Sequence, residues 1–444
     1  MKSIIKNYNN LSTTIFRKIA LDIIAFGLKS LDYQKAIDNL FKEKKFSKII
    51  NRYQNIYLIG FGKGSSQVIK ILAKKISFKN AYVIDFNKIN GRKIKYFIGT
   101  HPLPSFKNLK FSKTILDTFV NKLTSNDLVF VVVCGGGSSM LTYPVVSLNR
   151  FIKLNKELLK SGANIYEMNT VRKHLDVMKG GGLAKILYPA KIISLIFSDV
   201  PGNDLSFIAS GPTIYDKTTV KDAIKIIKKY NIQSIQKKDL IETPKEKIYF
   251  QNISNFLVLS NRTALENMVL FAKKFYNLRG KIISDNLKGD VVKIAKYFLK
   301  LSERLKYDFI IAGGETTVKI KGKGQGGRNQ ELALRFLQLM SQHKLCSHLS
   351  DVTKEKSMKN KEGIIFIALN SDGWDNTKFA GAICDCLTLI KAKNHKLNLE
   401  NYLANNDSFN FFVKVGDGIK TGKLPVNVAD FILLFKNWRN IAKR

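Results

Sequence analysis

Residues 127–134, DLVFVVVC, are the most apolar strand candidate of the chain, and they run straight into Gly135-Gly136-Gly137-Ser138-Ser139. An unbroken run of β-branched and aromatic residues reads as a strand covered on both faces, the pattern of a central parallel strand. Parallel strands need crossover connections, usually helices, so the chain is expected to be α/β. The loop that follows is as restrictive as the strand. Three glycines can turn successive N–H groups onto one anion, and the serine hydroxyls add donors. A flexible linker is the alternative, but linkers rarely follow a buried strand so abruptly.

Residues 169–212 carry the densest chemistry. Arg172, Lys173, His174 and Lys179 precede the triplet Gly180-Gly181-Gly182, and residues 192–197 read as a second buried strand. That strand ends in Ser198-Asp199-Val200-Pro201-Gly202-Asn203-Asp204, a turn with two carboxylates. Open α/β sheets bind ligands at the carboxyl ends of their strands. Asp199 and Asp204 are therefore candidates to hold Mg²⁺, which takes one or two carboxylates plus substrate phosphates. Arg172 and Lys179 are candidate anion ligands. A basic helix end, a strand and a turn without a ligand would carry the same letters.

Residues 56–59 form a shorter strand that opens into Gly60-Phe61-Gly62-Lys63-Gly64-Ser65-Ser66, and a helix follows. Strand, glycine loop and helix point amides and a helix N-terminus at a phosphate or carboxylate. The formal nucleotide motifs fail, since Tyr57 and Gly64 break a Walker A loop and Ser65 breaks a dinucleotide fingerprint. What remains is an anion site with Gly62 and Lys63, or an ordinary solvated lysine. His101, in a proline-rich loop after the strand 81–85, reads as a loop histidine held by packing.

At 444 residues the chain is too long for one ordinary core, and two domains are expected. A Lys- and Ile-rich helix and a glycine-free polar segment over residues 217–247 mark the boundary, which divides the chain into 1–248 and 249–444. Beyond it the pattern restarts, with strands over 254–259, 281–284, 308–312 and 363–369, an edge strand over 315–321, and helices between them. Gly322, Gly324 and Gly327 match GxGxxG, but the strand before them alternates polar and apolar, unlike a buried dinucleotide-binding strand. Arg328 begins a helix beside Gly326, Gly327 and Asn329, and a planar guanidinium there suits bidentate binding of phosphate or carboxylate. Asp372 lies just past the strand 363–369. Residues 342–363 read as a surface insert.

The composition excludes several classes. Apolar content of 45% and charged content of 24% are globular values. The formal charge of +40 comes from lysines spread along the whole length, as compositional drift would produce. It makes anionic small molecules natural partners, with nucleic acid the lesser reading. Four cysteines form no metal-ligand spacing and read as reduced thiols of a cytoplasmic protein. No apolar run is long enough for a membrane span. Residues 15–31 are an amphipathic first helix interrupted by Arg17, Lys18, Asp22 and Lys29.

Glycine loops with Lys63, Arg172, Lys179 and Arg328, and carboxylates at strand ends, suit phosphoryl transfer, which needs positioned cations, a metal and a base. Because the two sets lie in different halves, the site is expected in a cleft between domains. The motifs GFGKGS, THPLP, CGGGSSML, NTVRKHLDVMKGGGLA, SDVPGND, IASGPT, GGETTV, GQGGRNQELAL, SDGWDN and TGKLPVNVADF stand in this order. In them the chain resembles the two-domain glycerate 2-kinases with a C-terminal MOFRL domain. The resemblance implies an N-terminal Rossmann-like α/β/α domain, a smaller C-terminal α/β domain, and transfer of the ATP γ-phosphate to the 2-hydroxyl of D-glycerate with Mg²⁺. It implies Lys63 as the catalytic lysine, Arg328 on substrate or phosphate, and Asp372 as the essential aspartate. Gly135, Gly136, Gly137, Ser138, Ser139, Arg172, Lys179, Gly62, Gly326, Gly327 and Asn329 are the expected substrate and phosphate ligands. The sequence departs from the family pattern at Cys134, Asn203, Asn376 and residues 423–426. A hydroxypyruvate reductase, and a kinase for a related 2-hydroxy acid, are the alternatives; a homodimer is the oligomer considered.

Overall fold

The computed structural model describes residues 3–200, 202–343, 346 and 363–437. The chain forms two compact units, Tyr33–Ser260 and Met1–Asp32 together with Asn261–Arg444. The division expected between residues 248 and 249 falls inside the first of these, ahead of its last strand.

That first unit holds β1 (Asn55–Phe61), β2 (Asn80–Asp85), β3 (Ile94–Ile98), β4 (Asp127–Val133), β5 (Lys191–Phe197) and β6 (Ile253–Leu259). All pair in parallel, in the order β3-β2-β1-β4-β5-β6. Every residue of β4 is buried, as its apolar run predicts. β6 differs from expectation, because it extends this sheet along β5 instead of opening the next unit. The polar text before it is not a linker. Ile241 N–H bonds to His174 O, and Lys245 Nζ donates to Asp216 O and Thr218 O, so hydrogen bonds pin the segment along the way to β6.

The other unit holds β7 (Gly280–Asp290), β8 (Phe309–Thr317), β9 (Gly363–Asn370), β10 (Gly381–Cys384), β11 (Gly418–Ile419) and β12 (Asp430–Asn437). They form a mixed sheet in the order β11-β10-β9-β12-β8-β7, in which only β7 and β8 run parallel. The separate edge strand expected over 315–321 does not form, since β8 continues through Gly313 and Gly314 to Thr317. β12 lies between β8 and β9, and brings Asp430 opposite Gly314 and Asn370. The insert expected over 342–363 lies outside the described residues apart from Gln342, His343, Cys346 and Gly363.

The helix Ile15–Ser30, which follows a short helix Tyr8–Leu11, is amphipathic as expected, but its charges dock it into this second unit. Arg17 is fully buried, donating from Nε and Nη2 to Asp385 and from Nη1 to Asp417 at 2.9 Å. Asp22 accepts the hydroxyls of Tyr8 (2.6 Å) and Tyr276 (2.5 Å). The expectation of four reduced cysteines is corrected. Cys346 and Cys386 are 40 residues apart in sequence, yet their Cα atoms come within 5.7 Å and they form a disulfide. Cys134 and Cys384 are buried free thiols. Among the described residues no helix is long and apolar enough to cross a membrane.

Candidate active site

The strand order reverses between β1 and β4, the crevice at which doubly wound sheets take their ligands. Here the two expected glycine loops are built against each other. Cys134 N–H bonds to Phe61 O at 3.0 Å and Lys63 N–H to Gly135 O at 2.8 Å. Gly62, at φ +101°, is where any Cβ would collide with Cys134 O. The Lys63 side chain is exposed, with Nζ 5.9 Å from the Phe86 ring. The His101 ring lies against Gly136, and burial, reinforced by the Lys63 charge, lowers its pKa. Asp199 lies with its carboxylate against Gly135. Burial, with the charges of Asp85 and Asp199, pushes the Cys134 thiol far up, so it is no nucleophile. Lys63, His101, Gly135, Gly136 and Asp199 thus share one patch.

The helix expected to point its N-terminus at a phosphate is already capped. Asp85, at the end of β2, accepts the N–H groups of Gly64 and Ser66, each at 3.0 Å, and the Ser66 hydroxyl at 2.6 Å. The helix Ser65–Lys75 therefore offers its first amides to an internal carboxylate.

In the loop after β4, the N–H groups of Gly137 and Ser139 bond to Cys134 O and Gly136 O, and the Ser139 hydroxyl to Gly136 O. Ser138 Oγ lies 2.8 Å from Ser210 Oγ, which in turn donates to Asn169 Oδ1. The triplet Gly180-Gly181-Gly182 has a different use: Gly180 and Gly181 donate their N–H groups to Ser210 O and Gly211 O. Lys179 is 2% exposed and donates to Ser138 O (2.6 Å) and Leu141 O (2.9 Å), which makes it a strut under the glycine loop. Burial lowers its pKa, and nearby Arg172 adds to that, while Asp176 opposes it. Arg172, one helical turn beyond Asn169, has a buried Nε with no hydrogen-bond partner among the described residues. Burial lowers its pKa too. A buried guanidinium N–H lacking a partner is costly unless an acceptor, such as an anion, completes it. Asp204 is exposed and accepts the N–H and hydroxyl of Ser206 at 2.9 and 2.7 Å. Pro201 of the same turn lies outside the described residues.

The second unit gathers Arg328, Asn329 and Asp372. Asp375, which sequence reasoning left without a role, accepts the N–H groups of Asn329 (3.2 Å) and Gln330 (2.9 Å) and both their side-chain amides. It closes the N-terminus of the helix Arg328–Gln342, and Gly327 leaves the space for its approach. Asn329 is fully buried, with its Nδ2 on Asp375 and its Oδ1 without a hydrogen-bond partner among the described residues. Arg328 Nε and Nη2 donate to Asp430 at 2.7 and 3.1 Å, and Nη1 to Glu315. Burial pushes the Asp430 carboxyl up to about 7 against the pull of Arg328. Asp372 accepts Trp374 N–H at 2.9 Å and the Asn427 amide at 3.4 Å.

The GxGxxG match is accounted for by packing. Lys321 and Gly322 donate their N–H groups to Asn406 Oδ1, Lys323 to Asn405 Oδ1, Gly324 to Asn405 O and Gln325 to Asp407 Oδ1. These amides line the segment 405–407 and are not presented to a pyrophosphate. Among the described residues no group of three or more His, Cys, Asp or Glu side chains could hold a metal ion.

A parallel sheet with cation-bearing loops at its switch point, followed by a mixed-sheet unit with a guanidinium and carboxylates, defines a two-unit α/β protein. Residues 19–242 match the model of the domain of unknown function DUF4147, and residues 308–430 that of the MOFRL family. Over 442 residues, 97% of this chain and 98% of the relative, it is 34% identical to the glycerate 2-kinase of Picrophilus torridus. It is 35% identical over 356 residues, 76% of each chain, to an Agrobacterium vitis protein that carries a provisional hydroxypyruvate reductase name. The crystal structure of the Thermotoga maritima glycerate kinase matches with a TM-score of 0.80 at 30% identity, covering 94% of this chain and 98% of the other. The chain belongs to the glycerate 2-kinase family with an N-terminal DUF4147 and a C-terminal MOFRL domain.

Proposed function

We infer that the protein is a glycerate 2-kinase that moves the γ-phosphoryl group of ATP to the 2-hydroxyl of D-glycerate. The observation that carries the reading is the partnerless buried Nε of Arg172, whose charge acts on Lys179, the strut that donates to Ser138 O of the glycine loop. In this reading Arg172 and the loop of Gly135, Gly136 and Ser138 bind an anionic group, and Lys63 neutralises charge on the transferring phosphoryl. Ser139 and Lys179 hold the loop in place. Asp372 accepts the proton of the 2-hydroxyl, and Arg328, oriented by Asp430 and Glu315, binds substrate or phosphate. Kinases of this family work with a nucleotide and a metal. Asp199 and Asp204 would supply hard oxygen donors to Mg²⁺, which takes one or two carboxylates beside water and substrate phosphates. The ion would neutralise phosphate charge. The reductase alternative loses much of its sequence support, because the amides of residues 322–325 in the GxGxxG stretch are occupied. Purified protein incubated with ATP, Mg²⁺ and a panel of 2-hydroxy acids should release ADP and form 2-phosphoglycerate. ADP release independent of every acid, or NADH consumption with hydroxypyruvate alone, would overturn the assignment.

A further inference from the structure

Within the second unit a cavity of about 280 Å³ opens beside Arg328. One wall is apolar, made by Val318, by Ile320 at 78% exposure and by Trp374 at 45%. Solvent-facing apolar side chains of this size, gathered around one opening, mark a ligand surface. The glycine loop with Gly326, together with Asn406 and Ser408, also lines the cavity. Ser408 is fully buried, and its Oγ lies against Gly326 with no hydrogen-bond partner among the described residues. A buried hydroxyl left without a partner is a cost that a ligand can relieve. Arg328 lines the same cavity, and Trp374 is tied by its N–H to Asp372. Lys423 Nζ lies 5.1 Å from the Trp374 ring.

An aromatic face, aliphatic contacts and one unpaired hydroxyl suit a planar heteroaromatic ring, with cations at the edge for attached phosphates. Glycerate has three carbons, each bearing oxygen, and would leave the apolar wall unused. We propose that this cavity seats the base and sugar of the nucleotide donor, with the phosphates leading out past Arg328 towards Asp372. The proposal rests on the kinase reading and adds where the donor is held.

Equilibrium dialysis with labelled ADP, and KM for ATP and for glycerate, should be measured on the wild type, Trp374→Ala and Ser408→Ala. Loss of a stacking face is expected to weaken ADP binding about tenfold or more, and loss of the hydroxyl by about three- to tenfold. In both variants KM for ATP should rise while KM for glycerate holds. Ser408→Ala should also melt no lower than the wild type, because it removes an unsatisfied buried hydroxyl; a purely structural serine would show a lower melting temperature and unchanged ADP affinity. Wild-type ADP affinity in both variants, or a rise confined to KM for glycerate, would overturn the proposal while leaving the kinase reading intact. A wild type that neither binds ADP nor transfers phosphate would overturn both.

Discussion

Asp375 accepts the backbone N–H groups of Asn329 and Gln330, so the helix that begins at Arg328 is closed by a carboxylate from a different loop. Asp85 does the same for the helix Ser65–Lys75. In both places a glycine loop leads into a helix, and an internal aspartate takes the position where an outside phosphate would sit. At these two helix N-termini any outside anion would have to be met by side chains. Asp375→Ala should lower stability by about 1–3 kcal/mol, since several buried donors lose their acceptor. Urea denaturation checks this, and an unchanged midpoint would show that the cap contributes nothing.

Lys63→Ala and Asp372→Asn are expected to lower kcat by about 10²–10⁴-fold, the range for a positioned acid–base group or charge in the transition state. ADP affinity by dialysis should stay within about threefold of wild type, because neither residue lines the proposed donor cavity. Equal turnover in Asp372→Asn would remove it from the role of base.

Arg172 separates function from stability. With its Nε lacking a described partner, Arg172→Met should leave the melting temperature unchanged or raise it, while KM for glycerate rises about tenfold or more. A large drop in melting temperature with unaltered KM would show the guanidinium to be structural.

Arg17 should behave oppositely. It is fully buried between Asp385 and Asp417, and removing one member of such a set strands the others. Arg17→Ala is expected to cost about 3–5 kcal/mol in chemical denaturation. Its effect on KM should be small in the fraction that folds.

Asp430 introduces a pH dependence. Its folded pKa of about 7 lies above the unfolded carboxylate value, so the native state holds an extra proton between roughly pH 4 and 7. The associated stability is fully present below pH 4 and is lost as pH rises through 7, at a slope of up to about 1.4 kcal/mol per pH unit. Unfolding measured across this window should show the slope in the wild type and lose it in Asp430→Asn.

Much of this was legible in the letters. The run 127–134 is a fully buried central strand, and the loops after β1 and β4 do meet. The sequence also showed where glycine is needed, but not what each glycine makes room for. Gly180 and Gly181 reach the segment 210–211, and Gly324 reaches Asn405. Such contacts join parts far apart in the chain, which no local period records. Asp85 and Asp375 escaped notice for the same reason: each caps a helix that does not adjoin it in sequence. β12, read only as motif text, became a central strand because its pairing partners lie more than 50 residues upstream.

The placement of the helix Ile15–Ser30 bears on how the protein is made. Arg17 leaves the ribosome early, whereas Asp385 and Asp417 follow 368 and 400 residues later. Domains generally fold as units during synthesis, so the unit Tyr33–Ser260 can be complete while this helix, with its ten buried side positions, still awaits the strands and loops that cover it. A nascent chain stalled before residue 261 would lack the helix Asn261–Tyr276, whose Met268 and Phe271 pack against Gly27 and Phe26, and the orphaned apolar face is where a chaperone would be expected to hold it.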